Sequence, residues 1–170
     1  MTLITTDQSN KNSLEAFKES GQLKRGLPPF AYTNEEFWQA EKDQLFPNSW
    51  VLVGFAHEMA NPGDAMPVNV GDSPVVLVRN RDDSIKAFHN VCRHRCLKLV
   101  DKAQNVGRML KCPYHAWAYG LDGELRTTPY FGGKDPHSVP EGFDVKEHGL
   151  KEVNCAVWYD WIFVNVSGDA

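Results

Sequence analysis

The sequence predicts an all-β fold of antiparallel sheets, preceded by a helical arm. From Trp50 onward, short runs of β-branched and aromatic residues alternate with turn sequences. Many short strands at this spacing are typical of a sandwich or a small barrel. The chain has 170 residues, of which 42 % are hydrophobic. This suits one ordinary globular domain with a buried core.

Residues 1–46 are predicted to form an N-terminal arm and helix, and residues 47–168 the β domain. The first 26 residues are polar, with a short helix expected around Leu14 to Ser20. The sequence GLPPF that follows is extended by its two prolines.

A helix start comes next in the chain. Thr33 fits the N-cap and Glu36 the N3 position of a capping box, while Tyr32 and Phe37 fit a hydrophobic staple. Trp38 and Leu45 are seven residues apart and are expected on one helix face. Pro47 ends the element.

Eight strands are predicted in the β domain. They span Trp50–Phe55, Met66–Val70, Pro74–Arg79, Ile85–Asn90, Met109–Lys111, Ala116–Tyr119, Val153–Tyr159 and Trp161–Val166. The sequence Leu121-Asp122-Gly123 predicts a hairpin turn. The stretch from Thr127 to Phe143 contains three prolines and three glycines and is predicted to be a long surface loop.

Composition excludes several classes of function. The net charge is -4 and the pI is near 5.8, so binding to nucleic acid or to an anionic membrane is not expected. No apolar run resembles a signal peptide or approaches the roughly 20 residues of a membrane span. A cytoplasmic location is therefore expected. In that compartment the four cysteines are better explained as metal ligands or buried thiols than as disulfides.

Two Cys-His pairs carry the chemistry. Cys92 and His94 form the first pair, Cys112 and His115 form the second, and seventeen residues separate His94 from Cys112. Thiolate and imidazole suit zinc or an iron–sulfur cluster, whereas magnesium and calcium prefer oxygen ligands. The pairs could also be unrelated core and surface side chains.

The mixed spacing favours two metal ions over one. A Cys₂His₂ zinc site usually groups its cysteines in one knuckle and its histidines in another. Here each loop contains both, as expected if Cys92 and Cys112 hold one iron and His94 and His115 the other. Sulfides would bridge the two irons.

The pattern C-x-H-x₁₇-C-x-x-H, with Pro113, Tyr114 and Trp117, resembles the Rieske [2Fe–2S] signature. The resemblance implies one [2Fe–2S] cluster, which serves as a one-electron relay. Its metal ligands would be Cys92, His94, Cys112 and His115. Tyr114 and Trp117 are expected to pack over the two loops as cofactor-binding residues of the surrounding layer. Ordinary core packing is the alternative for both aromatic residues.

The flanking sequence distinguishes the kinds of Rieske protein. The type found in cytochrome complexes has a disulfide between its two loops, and here Tyr114 stands where the second cysteine would be. Nearly the whole chain after Leu27 resembles the N-terminal part of a Rieske non-haem iron oxygenase α subunit. The matching pieces include GLPPFAYTNEEFW, FPNSW, NPGD, AFHNVCRHR, CPYHAWAYGLDGEL and WIFVNVSGDA. Branches similar to choline monooxygenase and to aromatic ring-hydroxylating enzymes both fit.

This resemblance implies an antiparallel sandwich of the Rieske (ISP) type, with the two loops forming a cluster-binding subdomain. Two residues in the loops differ from the usual pattern of this family. Cys96 and Ala116 each occupy a position where the oxygenases usually have glycine. Cys96 is expected to be a small buried thiol in the glycine's place. Cys155 is expected in the core of its strand.

The parent enzyme implied is an O₂-dependent mono- or dioxygenase. In that family a reductase or ferredoxin supplies single electrons. The cluster passes them to a mononuclear Fe(II), held by two histidines and a carboxylate in a C-terminal catalytic domain. That domain is expected to be absent from this sequence, so no catalytic residue is expected here. The electron acceptor would be a catalytic domain or a neighbouring subunit, with a homotrimer as the family arrangement. The four remaining histidines are expected to be surface or hydrogen-bonded residues: His57, His89, His137 and His148.

Two other functions stay open from sequence alone. One is a stand-alone Rieske-type ferredoxin, and the other is an interaction module built on structural zinc. The segment between Cys92 and Cys112 has six basic residues and one acidic residue, Asp101. The basic residues are Arg93, Arg95, Lys98, Lys102, Arg108 and Lys111. They form either a solvated rim or a docking surface for an acidic electron donor or partner domain.

Overall fold

The computed structural model describes residues 7, 8, 10–12, 15 and 26–168. Strands dominate this part of the chain, and every strand pairing is antiparallel. The expected helix around Leu14 to Ser20 lies almost entirely outside the described residues. No helix in the described part of the chain has the length and apolar character that crossing a membrane requires.

The helix that precedes the β domain begins one residue later than the sequence predicts. Helix α1 spans Glu35–Ala40, and its N-cap is Asn34, whose side chain accepts a hydrogen bond from the Phe37 backbone N–H. Thr33 was therefore the wrong cap, because Asn34 provides an equally good acceptor one residue nearer the helix. A π-helical turn, Glu41–Leu45, continues the element.

The packing of this helix also differs from the prediction. Phe37 packs edge to face against Phe30, with ring centroids 5.7 Å apart. Phe30 therefore makes the contact that was predicted for Tyr32, and Tyr32 is exposed. Trp38 and Leu45 are both largely exposed. The π-helical turn shifts the register after Ala40, which removes the predicted apolar stripe.

Ten strands form two sheets. The large sheet has the order β1-β10-β9-β4-β3-β2-β5, and the small sheet has the order β6-β7-β8. The strands are β1 (Val51–Phe55), β2 (Asp64–Val70), β3 (Ser73–Arg79), β4 (Ile85–His89), β5 (Gln104–Asn105), β6 (Met109–Lys111), β7 (Ala118–Gly120), β8 (Leu125–Thr127), β9 (Glu152–Trp158) and β10 (Trp161–Asn165).

All eight predicted strands are present, with ends shifted by up to two residues. Two short strands, β5 and β8, were missed. Their sequences, Gln-Asn and Leu-Arg-Thr, contain no run of β-branched and aromatic residues that would predict a strand. The predicted hairpin turn at Leu121-Asp122-Gly123 joins β7 to β8, and Gly123 adopts a φ of +86°.

The large sheet is buried on both faces at β3, because it curls until β1 lies beside β2. Val75, Val76, Leu77 and Val78 are all fully buried. Val75 and Leu77 face a core shared with β9 and β10, whereas Val76 and Val78 face a second core shared with the small sheet. This second core contains Cys92, Cys112 and Trp117. The two Cys-His pairs are therefore anchored where the two sheets meet.

Candidate metal centre

The two loops that carry the Cys-His pairs are built in the same way. We call residues 91–98 the first Cys-His loop, which follows β4, and residues 112–117 the second, which follows β6. In the first loop the Cys92 N–H donates to the Leu97 carbonyl, and the Cys96 N–H donates to the Cys92 carbonyl. In the second loop the Cys112 N–H donates to the Trp117 carbonyl.

The match extends to the backbone angles. The Ala116 N–H donates to the Cys112 carbonyl, as the Cys96 N–H donates to that of Cys92. Cys96 has a φ of +55° and Ala116 a φ of +58°. Both positions therefore lie in the left-handed region, where glycine is least strained. Each loop is one tight turn that begins at its cysteine and presents a histidine two or three residues later.

The two cysteines lie together on the buried side of the loops. Cys92 is 1 % exposed and Cys112 is 3 % exposed. Burial raises the pKa of the Cys112 thiol above its ordinary value, although backbone hydrogen bonds from Tyr114 and His115 act in the opposite direction, and contact with Cys92 raises it further. A bound metal cation would remove the protons from both thiols.

The two histidines lie side by side on the outer side of the loops. The ring centroids of His94 and His115 are 4.8 Å apart. Burial lowers the pKa of His94, and the neighbouring His115 and Arg95 lower it further. The neutral imidazole is the form that binds metals. His115 Nδ1 is buried and has no hydrogen-bond partner, the one such side-chain atom among the described residues.

The two aromatic residues singled out in the sequence contact these histidines in different ways. Trp117 is buried and stacks on His94, with centroids 4.7 Å apart and planes 7° from parallel. Tyr114 is 56 % exposed, and its ring lies against His115 at a centroid distance of 3.7 Å. Trp117 is thus a core residue as well as a neighbour of His94, whereas Tyr114 covers His115 from the solvent side.

Tyr119 is a site residue that sequence reasoning missed. Its hydroxyl oxygen lies 3.3 Å from Cys92 Sγ and accepts a hydrogen bond of 3.0 Å from the Arg93 backbone N–H. Burial raises the pKa of Tyr119, so the phenol keeps its proton at neutral pH. The residue reaches Cys92 from β7, beyond the second loop. The sequence indicated only that Tyr119 belongs to a predicted strand directly after the second loop.

Comparison with known proteins identifies the family. Residues 49–153 match the model of the Rieske [2Fe–2S] domain. The chain belongs to this family. The chain is 37 % identical, over 83 % of its length, to the glycine betaine monooxygenase oxygenase subunit of Chromohalobacter salexigens. It is 32 % identical, over 89 % of its length, to the large oxygenase component of the salicylate 5-hydroxylase of a Ralstonia species.

Solved structures agree with this assignment. The quaternary ammonium Rieske monooxygenase CntA matches 84 % of the chain with a TM-score of 0.73 and 29 % identity, and the match covers 38 % of that protein. Naphthalene 1,2-dioxygenase from a Rhodococcus species shares the fold, with a TM-score of 0.80. The chain spans 30 % and 37 % of the lengths of the two curated relatives named above. It thus corresponds to the Rieske domain of oxygenase α subunits.

The residues present fit a two-iron cluster. Within the part of the chain that the structure describes, no three His, Cys, Asp or Glu side chains gather as they would around a single ion. The four residues instead form two pairs, with the thiols on the buried side and the imidazoles on the outer side. The unpartnered His115 Nδ1 also fits, because a buried ring nitrogen without a hydrogen-bond partner is explained by a metal bond.

The remaining cysteines and histidines of the Rieske domain do not belong to the two Cys-His pairs. Cys96 is exposed, which corrects the prediction of a buried thiol. Its left-handed backbone turns the side chain out of the loop. Cys155 is half-buried in β9, and burial raises its pKa to about 11. His57 Nδ1 lies 2.5 Å from an Asp160 carboxylate oxygen, and His148 Nδ1 lies 2.7 Å from the Asp144 carbonyl oxygen.

Proposed function

We propose that this Rieske domain is the one-electron relay of a Rieske non-haem iron oxygenase. Cys92 and Cys112 would bind the inner iron of a [2Fe–2S] cluster, and His94 and His115 the outer iron. The main support for the proposal is that the two cysteines lie together and the two histidines lie together. Two loops with one backbone design bring both thiols to the buried side and both imidazoles to the outer side.

The bound cluster supplies reversible uptake of one electron, at a potential raised by the two neutral imidazole ligands. The protein residues around it set its environment. The Tyr119 hydroxyl and the backbone N–H groups of Tyr114 and His115 are directed at the cysteine sulfurs. Trp117 keeps the plane of His94 fixed. The histidine edges face outward, which is the side from which a redox partner can approach.

The partners are proposed from the relatives. The curated relatives are oxygenase subunits and components, so a separate electron donor, either a reductase or a ferredoxin, is expected. The acceptor is expected to be a mononuclear Fe(II) in a catalytic domain or in a neighbouring subunit. A homotrimer would supply such a neighbouring subunit. The relatives include a glycine betaine monooxygenase and a biphenyl dioxygenase, so both kinds of oxygenation occur among them. The proposal therefore extends to the oxygenase class and names no substrate.

Charge around the loops supports a negatively charged electron donor. We call residues 93–111 the basic segment. Five of its six basic side chains are exposed and have no ion pair among the described residues: Arg93, Arg95, Lys102, Arg108 and Lys111. Lys98 lies 4.0 Å from Asp101. Unpaired surface cations beside a redox centre attract an acidic partner over long distances.

The test is an EPR spectrum of the anaerobically purified protein after reduction with dithionite. A rhombic spectrum with an average g below that of an all-cysteine cluster is expected, together with two irons and two sulfides per chain. Zinc without an EPR signal would overturn the proposal in favour of an interaction module. A Rieske spectrum combined with electron delivery to free acceptors, and none to an oxygenase component, would favour the ferredoxin alternative.

Variants then test the ligand assignment. His94→Ala and Cys112→Ala should each abolish the rhombic spectrum. His137→Ala and Cys155→Ala are the matched controls, because they remove the same side chains elsewhere in the domain and should leave the spectrum unchanged. A full signal in either ligand variant would show that the assignment is wrong.

A further inference from the structure

The predicted surface loop that follows β8 covers the candidate metal centre. We call residues 128–143 the covering loop. Most of it is exposed, but Phe131 and Phe143 are partly buried and pack against the core that contains Cys92 and Cys112. The segment is a loop of mostly exposed residues, as the sequence predicts. Two of its aromatic side chains belong to the wall of the site.

Phe131 contacts His94 directly. The Phe131 ring meets the His94 ring at a centroid distance of 5.6 Å and an angle of 78°. It also meets Trp117 at 5.0 Å and 83°. The His94 ring thus stacks on Trp117 and meets the Phe131 ring edge to face. Two aromatic neighbours in different planes leave the imidazole little freedom to rotate.

Phe131 also forms one side of the opening beside His94. A pocket of about 570 Å³ opens beside the two histidines, and its wall includes His94, His115, Tyr130 and Phe131. Trp117 lines the same pocket, so loss of the Phe131 ring would widen a pocket that already reaches His94 and Trp117. The ring is therefore placed where it limits the access of water and chelators to a metal bound there.

The covering loop holds Phe131 in place through its own backbone. The Gly132 N–H donates to the Ser138 carbonyl at 2.9 Å, and the Phe131 N–H donates to the Thr128 carbonyl at 3.2 Å. A Cβ atom at Gly132 would lie 2.6 Å from the Val139 carbonyl carbon and 2.7 Å from that of Ser138. Backbone packs directly on backbone at this point. Closure of the loop therefore requires glycine at position 132.

We infer that Phe131 is a positioning residue for the metal-binding His94, and that the closure of the covering loop at Gly132 sets its position. The inference rests on the proposed function, since it assigns Phe131 a role towards the bound cluster. It adds a part of the site that lies about thirty-seven positions after His94 in the chain and outside both Cys-His loops.

The test compares Phe131→Leu with Phe131→Tyr and with Tyr32→Leu. The first variant removes the ring, and the second keeps it. The third removes an exposed ring that precedes the β domain, does not line this pocket and has no described ring contact with His94 or Trp117. Three quantities are measured on the cluster-loaded protein: the rate of cluster loss to a chelator, the midpoint potential, and solvent deuterons near the cluster by pulsed EPR. Thermal unfolding of the metal-free protein is recorded in parallel.

Phe131→Leu is expected to lose its cluster about tenfold faster, as for other residues that orient metal ligands. Its potential should rise, because water admitted near the cluster stabilises the added negative charge of the reduced form. Its deuteron signal should grow as well. Phe131→Tyr and Tyr32→Leu should behave like the unmodified protein.

A second pair of variants tests the closure. Gly132→Ala should reproduce the faster cluster loss, because the added methyl group collides with the opposite backbone. Gly142→Ala adds a methyl group to the same loop, at a φ of +77° with nothing within 4 Å, and should leave cluster loss unchanged.

Three outcomes would overturn the inference. One is an unchanged loss rate and potential in Phe131→Leu. Another is faster loss that is fully matched by lower thermal stability of the metal-free variant, which would make Phe131 a packing residue alone. A lack of any cluster in the unmodified chain would overturn the proposed function, and this inference with it.

Discussion

Cys96 and Ala116 stand at the two left-handed positions of the Cys-His loops, with φ near +55° and +58°. A left-handed conformation costs an L residue roughly 1–2 kcal/mol, whereas glycine adopts it freely. Glycine at either position would relieve this cost. The strain therefore comes from the side chains of Cys96 and Ala116 and not from the loop backbone.

Cys96→Gly is expected to keep the cluster and to raise the free energy of unfolding by up to about 1 kcal/mol, since relief of the strain exceeds the added entropy of the unfolded chain. Thermal unfolding and iron content measure both effects. Cys155→Gly is the matched control, because it makes the same change inside β9, where it should destabilise. Loss of the cluster in Cys96→Gly would mean that Cys96 takes part in metal binding.

Tyr119 is the residue that most directly influences the buried side of the centre. In Tyr119→Phe the contact of 3.3 Å between the hydroxyl and Cys92 Sγ is removed. A hydrogen bond to the sulfur stabilises the reduced, more negative form, so its loss should lower the midpoint potential. A net bond energy of about 1 kcal/mol corresponds to roughly 40 mV for one electron.

A redox titration followed by visible absorbance measures this shift. Tyr114→Phe removes a hydroxyl from the exposed tyrosine of the same site and serves as the control, with little change expected. An unchanged potential in Tyr119→Phe would show that the hydroxyl donates elsewhere once the cluster is bound.

At the scale of elements, the first Cys-His loop depends on a buried asparagine. Asn90 is fully buried at the end of β4, and its backbone N–H donates to the Pro74 carbonyl. Its side-chain nitrogen donates to the Val100 carbonyl, and its side-chain oxygen accepts from the N–H groups of Leu99 and Val100. One side chain therefore ties the two ends of the loop together.

Asn90→Ala is expected to lower the free energy of unfolding by about 2 kcal/mol or more, because it leaves buried backbone groups of Leu99 and Val100 without partners. Urea unfolding of the metal-free protein measures the loss. Asn48→Ala removes an exposed asparagine with one described hydrogen bond, to the Gln44 carbonyl, and should cost far less. Equal losses in the two variants would contradict this role of Asn90.

The small sheet is joined to the large one at a position that admits only glycine. Gly123 lies in the turn between β7 and β8, and a Cβ atom there would lie 2.4 Å from the Phe88 ring of β4. The sequence predicts this turn from Asp122-Gly123, but not its contact with β4. Turn chemistry is local, whereas the approach of two sheets depends on residues distant in the chain.

At the scale of the whole molecule, charge is distributed unevenly. The chain has a net charge of -4, yet the basic segment carries five exposed cations without a described ion pair. The remaining surface is correspondingly acidic. This asymmetry would orient an acidic electron donor towards the two Cys-His loops before contact.

The rate of reduction by an acidic ferredoxin is therefore expected to fall about tenfold or more as ionic strength rises from about 0.01 to 0.15 M, across which the screening length shortens from roughly 30 to 8 Å. Stopped-flow absorbance measures the rate. Arg108→Glu should slow the reaction at low salt more than Lys134→Glu, which makes the same charge change outside the basic segment. Rates indifferent to salt would rule out steering by this segment.

The sequence by itself determined the class of fold, eight of the ten strands and the four candidate ligands. Strand patterns and turn residues are local, and the metal-binding spacing lies within 24 residues. Thr33 and Tyr32 were assigned wrongly, because neighbouring residues compete for a helix start and only the packed structure selects Asn34 and Phe30.

Only the tertiary structure decided which distant residues complete the candidate centre. Tyr119 reaches Cys92 from a strand 27 residues away, and Phe131 reaches His94 from a loop that its prolines and glycines marked as surface. Neither contact leaves a periodic trace in the sequence. Both arise because the two sheets share one core, which brings β7 and the covering loop against the Cys-His loops.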